Sequence, residues 1–414
     1  MRGLILTMPI LVLLLIAIVL GNIVFNALTF KETNVYRSKL DIKVPILYQS
    51  IVDDFTLNVR GVDELKEIIR ELHADLIFRA FWKRTQDPSI YKNLKYVINE
   101  LRSVRNGIVI VGSVPAQTLW RIDYDFDKNE VIEYPKTWEL ALDPTKWGIN
   151  YPKWKLQCEI AKARGAAPQT LDCEGEPRPE VLKKYFPDIT NPEFQRIFLS
   201  WIKKQIDAGV DAIWIDMLFM QARIMLKLTG DENHPAVKES YKAAINIIKA
   251  IHELGRSRGK YIYVGTWKPP VIEGEESPPL DFITISISSE EVIKKDIDKE
   301  RWVELIKSIR ERFGNVTILA VLDWGVTDTS PLAVFSQKLS TEEQSEFILK
   351  VDKELRELGV LLVYPVHGGF IGPNAKKLAY GKYKFYDALA PEFSTYKAIL
   401  KAIKEHIEED RVDC

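Results

Sequence analysis

Residues 209–217 read GVDAIWIDM, a glycine and an apolar run that ends in an acid. The stretch before it carries apolar side chains at helical spacing: Phe194, Ile197, Phe198, Trp201 and Ile202. This spacing predicts an amphipathic helix, and Gly209 suits its left-handed C-cap. The run AIWI predicts a strand that is covered on both faces. A helix followed by a buried strand is one unit of a parallel α/β fold.

The same unit recurs along the chain. Eight β-branched or aromatic runs are found, at 44–50, 75–82, 107–113, 211–217, 260–267, 281–288, 316–324 and 360–366. Helical stripes connect several of them, Gly314 and Gly359 stand before the last two, and Ser340 with Glu343 forms a capping-box pattern. Eight strands favour a (β/α)8 TIM barrel, because an open doubly wound sheet more often has about five to seven.

Two connections depart from an ideal barrel, which we expect to occupy residues 44–409. Between the third and fourth runs, residues 114–185 form a large insertion rich in aromatic and turn-forming residues. Because it leaves from the carboxyl end of a strand, we expect it on the face where such barrels carry their sites. Residues 268–280 include four prolines and leave no room for a full helix.

The amino terminus is strongly apolar. Residues 4–20 carry no charge, and the uncharged stretch continues to Phe30. About 20 apolar residues span a bilayer, so residues 1–30 predict a signal anchor, with a cleaved signal peptide as the alternative. Residues 31–43 would form a linker. We expect the barrel outside the cytoplasm, bound to the membrane through this segment, or secreted after cleavage.

Composition excludes several classes of protein. The chain has 57 Lys and Arg against 58 Asp and Glu, so it lacks the basic excess of a nucleic-acid binder. Five His and three Cys without metal-ligand spacing predict neither a metal site nor a cofactor. Cys158 and Cys173 are compatible with a disulfide or with two free thiols, and Cys414 is expected to be unpaired. The oligomeric state stays open.

Carboxylates at strand ends are the candidates for catalysis. Asp216 ends the fourth run, Asp323 ends the seventh, and Glu290 follows the sixth. Reactive groups of such barrels lie at the carboxyl ends of the strands. Two carboxyl groups across the barrel mouth can serve as the acid and the nucleophile or base of glycoside cleavage. For Glu290 a solvated helix start is the competing interpretation.

Aromatic and polar residues near the strand ends predict sugar binding. A tryptophan ring suits the apolar face of a pyranose. The candidate substrate-binding residues are Tyr48, Arg79, Trp82, Trp120, Arg121, Asp123, Trp267, Trp324, Tyr364 and His367. The alternative for each tryptophan is packing within a large loop.

Residues 186–217, FPDITNPEFQRIFLSWIKKQIDAGVDAIWIDM, resemble the segment that leads into strand four of many (β/α)8 glycoside hydrolases. These include the α-amylase-like, α-galactosidase-like and endo-α-polygalactosaminidase groups, in which the motif ends in a catalytic aspartate. The resemblance implies that Asp216 is the nucleophile or base. Ala212 stands where a glycine is usual. The strand-five glutamate of amylases is replaced by Thr266 and Trp267, while Asp323 is similar to their strand-seven aspartate.

Three functions are therefore compatible with the sequence. The first is an exported glycoside hydrolase that acts on a polysaccharide or glycan. The second is a carbohydrate-binding barrel without catalysis, because the second acid of the related families is not matched. The third is a barrel hydrolase or lyase for phosphorylated ligands, because Gly368 and Gly369 follow strand eight, where such folds can hold phosphate.

Overall fold

The computed structural model describes residues 40–52 and 59–412. The predicted membrane segment 1–30, most of the predicted linker and Cys414 lie outside these residues. Within the described ranges, no helix is both long enough and apolar enough to cross a membrane.

The elements alternate between strand and helix for most of the chain. In chain order they are β1 (Pro45–Tyr48), α1 (Val62–Glu71), β2 (Leu76–Phe81), α2 (Pro88–Val104), β3 (Val109–Pro115), β4 (Leu119–Trp120), β5 (Ile122–Asp125), β6 (Glu130–Glu133), α3 (Lys136–Glu139), α4 (Lys153–Ala163), β7 (Lys184–Tyr185), α5 (Pro192–Ala208), β8 (Ala212–Asp216), α6 (Met220–Thr229), α7 (Pro235–Arg256), β9 (Tyr263–Trp267), β10 (Phe282–Ser286), α8 (Ser289–Lys294), α9 (Lys299–Phe313), β11 (Thr317–Val321), α10 (Pro331–Lys338), α11 (Thr341–Glu357), β12 (Leu361–Leu362), β13 (Tyr364–Phe370), β14 (Phe385–Asp387) and α12 (Tyr396–Val412).

The main sheet closes into a barrel. Its hydrogen-bonded order is β12-β11-β10-β9-β8-β3-β2-β1-β13-β14. Only Val363 separates β12 from β13; β12 pairs in parallel with β11, and β13 pairs in parallel with β1. The eighth strand position therefore joins the seventh to the first. The predicted (β/α)8 barrel is confirmed, and each of the eight runs overlaps one of its strand positions.

The sequence signals at the helix ends have the expected local structure. Gly209 ends α5 in the left-handed conformation, with φ of 112°. At the start of α11, Ser340 and Glu343 exchange the two hydrogen bonds of a capping box. Helices connect most of the parallel strands, but β9 passes to β10 without one, as the short connection predicted.

Apolar residues fill both the barrel and the space between the barrel and its helices. The interior cluster includes Leu47, Phe78, Trp214, Phe282 and Val321, with Leu40 and Ile42 below them. The indole Nε1 of Trp214 donates to Thr284 Oγ1 at 3.0 Å, so this buried N–H has a partner. The bulky side chains make the interior a packed core whose upper layer is the floor of the mouth.

The insertion after β3 has a small core of its own. The pairs β4–β7 and β5–β6 form two antiparallel ribbons. Trp154, Cys158, Ala161, Leu182 and Tyr185 pack together inside the insertion. Cys158 and Cys173 form a disulfide, which decides between the two alternatives that the sequence left open.

Candidate active site

Arg79 lies at the floor of the barrel mouth. Its φ is +57°, in the left-handed region, and the β2–β3 register shifts between Ile77 and Phe81. The side chain is 5% exposed, and its guanidinium carbon lies 4.4 Å from the ring centre of Trp214 and 4.7 Å from that of Trp324. Residues with a strained backbone cluster at functional sites. Here it accompanies a cation held between two aromatic faces.

Asp216 stands at the carboxyl end of β8 with both oxygens hydrogen-bonded. Trp267 Nε1 donates to Oδ1 at 2.8 Å, and Gln117 Nε2 donates to Oδ2 at 2.7 Å. Trp267 ends β9, the neighbouring parallel strand, whereas Gln117 follows β3 on the other side. The two donors fix the orientation of the carboxyl group from both flanking strands.

The environment of Asp216 favours its protonated form. Burial is the largest effect and raises the pKa of Asp216 above its ordinary value. The negative charge of Asp323 raises it further, whereas the positive charge of Arg79 lowers it. The two N–H donors, Trp267 and Gln117, also lower it without cancelling the effect of burial. A carboxyl group of this kind can hold or release a proton at a higher pH than an exposed one.

Asp323 shares Arg79 with Asp216. Arg79 Nη2 donates to Asp323 Oδ1 at 3.2 Å, and the Asp323 side chain is 29% exposed. One guanidinium therefore acts on both carboxyl groups, through a hydrogen bond to Asp323 and through its positive charge on Asp216, and both side chains are partly exposed. Desolvation raises the pKa of Asp216, and a shift of this kind can give two paired carboxyl groups different roles in acid–base catalysis.

A cleft of about 490 Å³ opens above Asp216. It is lined by Trp82, Lys83, Arg84, Pro115, Gln117, Thr118, Trp120, Arg164, Lys184, Asp216, Trp324 and Val326. Three of these residues are tryptophans, and the rings of Trp82 and Trp324 lie 5.3 Å apart between centres. Several aromatic faces around a few polar groups are typical of a site for a small organic ligand.

Asp123 holds the insertion against the end of β2. Arg84 donates to both of its carboxylate oxygens, from Nη2 at 2.8 Å and from Nε at 3.2 Å. The backbone N–H of Trp120 donates to Asp123 Oδ2 at 3.1 Å. Asp123 is buried, so its position supports the wall of the cleft and does not offer a free carboxylate to a ligand.

Tyr48, Tyr364 and His367 require a correction, because the structure buries all three. The ring of Tyr48 stacks on His367, and burial raises the pKa of Tyr48 to about 12. His367 Nδ1 is hydrogen-bonded to Asp387 Oδ2 at 2.5 Å. The hydroxyl of Tyr364 donates to Asp352 Oδ1 at 2.7 Å. These side chains hold strand eight to its neighbours and expose no surface to a substrate.

The sequence did not single out Arg60 or Asp387, which complete the network around His367. Arg60 Nη1 donates to Asp387 Oδ2 at 3.0 Å, and Tyr380 also donates to Asp387. Burial raises the pKa of Asp387, but the hydrogen bonds from His367 and Arg60 outweigh it and hold this pKa below its usual range. The network is a buried, charge-paired support of the barrel mouth.

Glu290 and Arg121 lie away from Asp216. Glu290 is exposed in the first turn of α8, and no hydrogen bond or ion pair among residues 40–52 and 59–412 joins it to Asp216 or Asp323. Arg121 is exposed and donates to the carbonyl of Glu180 within the insertion. The neighbour of Glu290, Glu291, caps α8, so this pair of acids belongs to a helix start.

Several polar cleft residues were missed by sequence reasoning. Gln117, Arg164 and Lys184 all belong to the connection after β3, and the only signal for them was the position of that insertion. No group of three metal-ligating side chains occurs in the part of the chain that the structure describes. The cleft lining combines one carboxyl group with four cationic side chains and three indole rings.

No protein-family model matches the chain, and no curated protein matches it in sequence. Solved structures with a similar backbone include the glycoside hydrolase domain of PelA from Pseudomonas aeruginosa, 10% identical with a TM-score of 0.38, over 78% of this chain and 95% of that one.

Two other structures are similar over more of the chain. Cyclic α-maltosyl-(1→6)-maltose hydrolase from Arthrobacter globiformis is 14% identical with a TM-score of 0.43, over 90% of this chain and 77% of that one. The cyclomaltodextrin glucanotransferase CldA is 10% identical with a TM-score of 0.46, over 87% and 80%. At such identities and TM-scores the likeness adds no argument, and the barrel assignment rests on its own strand pairing.

Proposed function

We propose that this chain is a glycoside hydrolase and that Asp216 and Asp323 are its catalytic carboxyl groups. One observation carries the proposal: a carboxyl group whose pKa is raised by desolvation faces a cleft lined by tryptophans, and the guanidinium that acts on it also donates a hydrogen bond to a second carboxylate. An oxocarbenium-like transition state needs one proton donor and one negative charge. We assign the proton donor to Asp216 and the negative charge to Asp323.

Asp216 is the general acid in this proposal. A raised pKa suits a group that must donate a proton to the glycosidic oxygen, and the position of Asp216 at the end of β8 brings it to the cleft surface. Trp267 and Gln117 orient the carboxyl group and stabilise the carboxylate that forms when the proton leaves. This role differs from the nucleophile or base that the strand-four resemblance implies.

Asp323 supplies the negative charge, either as nucleophile or as the base that activates water. Its side chain is 29% exposed, and the guanidinium of Arg79 holds it in place. Trp82 and Trp324 line the cleft beside it and offer faces for the apolar side of a sugar ring.

The role assignment is tested with aryl glycosides whose leaving groups differ in pKa. The variant Asp216→Asn is expected to lose about 10²- to 10⁴-fold in kcat with a poor leaving group and much less with dinitrophenol, which needs no proton. Asp323→Asn is expected to lose activity with both. If the two variants exchange these patterns, Asp216 is the nucleophile or base and the assignment is wrong. Glu290→Gln is the matched control and should keep wild-type rates.

A non-catalytic carbohydrate-binding barrel is the second candidate. It is favoured by the hydrogen bonds that already engage one oxygen of Asp323 and both oxygens of Asp216. Such a protein would bind a glycan that it never cleaves. Wild type and Asp216→Asn would then show equal affinity, and neither would release product from the bound glycan during prolonged incubation.

We infer an exported, membrane-anchored location from residues 1–30 and from the disulfide. Disulfides persist mainly outside the reducing cytosol, and Cys158–Cys173 fits that setting. Fractionation of cells that express the full chain tests this inference. The protein should be found in the membrane fraction and be digested by protease added outside. A soluble intracellular protein with reduced thiols would contradict it.

A further inference from the structure

We propose that the substrate glycan carries an anionic substituent, which Arg164 and Lys184 bind beside Asp216. This inference rests on the proposed hydrolase function and names its substrate class. It starts from the charges of the cleft. Among the lining residues, Lys83, Arg84, Arg164 and Lys184 are cationic, and Asp216 is the one acid in the lining.

The excess of positive charge is local, since the whole chain has a formal net charge of −1. The positive charge of Arg84 is compensated by Asp123 in a buried, bidentate ion pair. In the described residues, by contrast, neither Arg164 nor Lys184 has a carboxylate within ion-pair distance. The negative charge of Asp216 acts on Arg164, whereas Lys184 has the positive charges of Arg164, Arg84 and Lys183 around it. A cleft with this excess of positive charge attracts an oppositely charged group.

Arg164 is already oriented by the protein. Its Nη1 donates to the carbonyl of Gln117, and its Nη2 donates to Thr118 Oγ1, both at 2.5 Å. Gln117 also holds Asp216, so the guanidinium lies next to the proposed acid. A guanidinium has five N–H groups in a planar fork, and those that remain suit carboxylate, sulfate or phosphate oxygens.

Lys184 lies across a short ribbon from an aromatic platform. Lys184 and Trp120 are paired residues of β7 and β4, and the ammonium lies 4.2 Å from the indole ring centre. Trp120 is 43% exposed, so the ring still offers surface to the cleft. Burial, followed by the positive charge of Arg164, lowers the pKa of Lys184. A bound anion would relieve this repulsion while the sugar ring contacts Trp120.

The disulfide adds to this arrangement. Arg164 lies between Cys158 and Cys173, inside the loop that the disulfide closes. Closing a loop reduces the conformations that its residues sample. The guanidinium is therefore held ready for the anion rather than ordered at the moment of binding.

Binding to the Asp216→Asn variant tests the inference without requiring turnover. The probes are galacturonate, glucuronate, sulfated and phosphorylated oligosaccharides, each beside its neutral counterpart, and the readout is titration calorimetry at several NaCl concentrations. We expect at least one anionic probe to bind about tenfold or more tightly than its counterpart, with an affinity that falls as salt rises. The identity of the tightest-binding probe shows whether the site prefers a carboxylate, a sulfate or a phosphate group.

Added substitutions locate the contact. Lys184→Gln and Arg164→Gln should each weaken the preferred anionic probe about tenfold and leave its neutral counterpart unchanged. Lys183→Gln, one residue away, exposed and outside the cleft lining, is the matched control and should have little effect. If no anionic probe binds more tightly than its counterpart, or if Lys183→Gln acts as strongly as Lys184→Gln, the inference is wrong.

The two proposals fail differently. If wild type binds the anionic glycan but never cleaves it, the proposed hydrolase function is wrong. The anion subsite is then still supported as a binding site. If wild type cleaves anionic and neutral glycans equally well, and Lys184→Gln and Arg164→Gln leave the rate on the anionic glycan unchanged, the anion subsite is wrong and the hydrolase function is still supported.

Discussion

Removing the charge of Asp123 should undock the insertion and open the wall of the cleft. In the structure this carboxylate accepts two hydrogen bonds from Arg84, and the two side chains are only 3% and 7% exposed. Asp123→Asn leaves a buried guanidinium without a counter-charge. Breaking a buried ion pair from one side costs about 3–5 kcal/mol, so we expect a loss of this size in the free energy of unfolding.

Chemical denaturation of the purified chain measures this loss. Two further variants show whether the loss comes from the unpaired buried charge. Asp127→Asn removes an exposed acid of the same ribbon, whose ion pair with Arg196 spans 3.7 Å, and should cost about 1 kcal/mol or less. Arg84→Met combined with Asp123→Asn removes both charges and should recover most of the stability. The reasoning is refuted if Asp123→Asn is no worse than Asp127→Asn, or if the double variant is as unstable as the sum of the single ones.

Three further predictions concern Asp216, the disulfide and the barrel interior. Because burial raises the folded-state pKa of Asp216, its stabilising contribution exists at acid pH and is lost as the pH rises through that pKa; Asp216→Asn should therefore unfold at a higher temperature than wild type at pH 7, with the gain vanishing below about pH 4. Replacing Cys158 and Cys173 by alanine opens a loop of 15 residues and should cost about 3 kcal/mol or less in denaturation, with weaker binding of the anionic glycan. Gly265→Ala would place a methyl group 2.1 Å from the ring of Phe282 and should cost about 1–3 kcal/mol.

Each of these has a result that contradicts it. Equal melting temperatures of Asp216→Asn and wild type at both pH values would mean that Asp216 is not desolvated. Unchanged glycan affinity in the variant without the disulfide would mean that the disulfide does not help to hold Arg164 in position. If Gly265→Ala is as stable as Gly61→Ala, where the added methyl group meets nothing within 4 Å, the interior is less tightly packed than described.

Local patterns were sufficient to predict the barrel. Eight apolar runs with helical connections specify parallel strands. The short connection at residues 268–280 correctly predicted that no helix lies between β9 and β10. Strand bounds were less predictable: the run at 360–366 continues to Phe370 and is interrupted at Val363. This interruption depends on how the last strand meets both β11 and β1, which is a property of barrel closure and not of local sequence.

The site was predicted in part, and the misses share one physical cause. Asp216, Trp82 and Trp324 stand at strand ends, where position along the strand places them in the mouth. Tyr48 and His367 also stand near strand ends, but Arg60 and Asp387 bury them, and both partners come from separate connections. Nothing in a single strand shows which distant side chain covers it.

The role of Trp267 shows the same limit. Its position at the end of β9 predicted a platform for a sugar, whereas its indole N–H is hydrogen-bonded to Asp216 on the next strand. The positive φ of Arg79 was also not predictable from local sequence, because this conformation occurs where the pairing of β2 with β3 is irregular. Cross-strand geometry decides both features.

Release of reducing ends from a panel of neutral and anionic glycans tests the central claim most directly. The purified full chain is predicted to release reducing ends from at least one anionic glycan, with Asp216→Asn about 10²- to 10⁴-fold slower on the same substrate and Glu290→Gln unchanged. If wild type releases nothing above the level of Asp216→Asn from any glycan in the panel, the cleft is not that of a glycoside hydrolase.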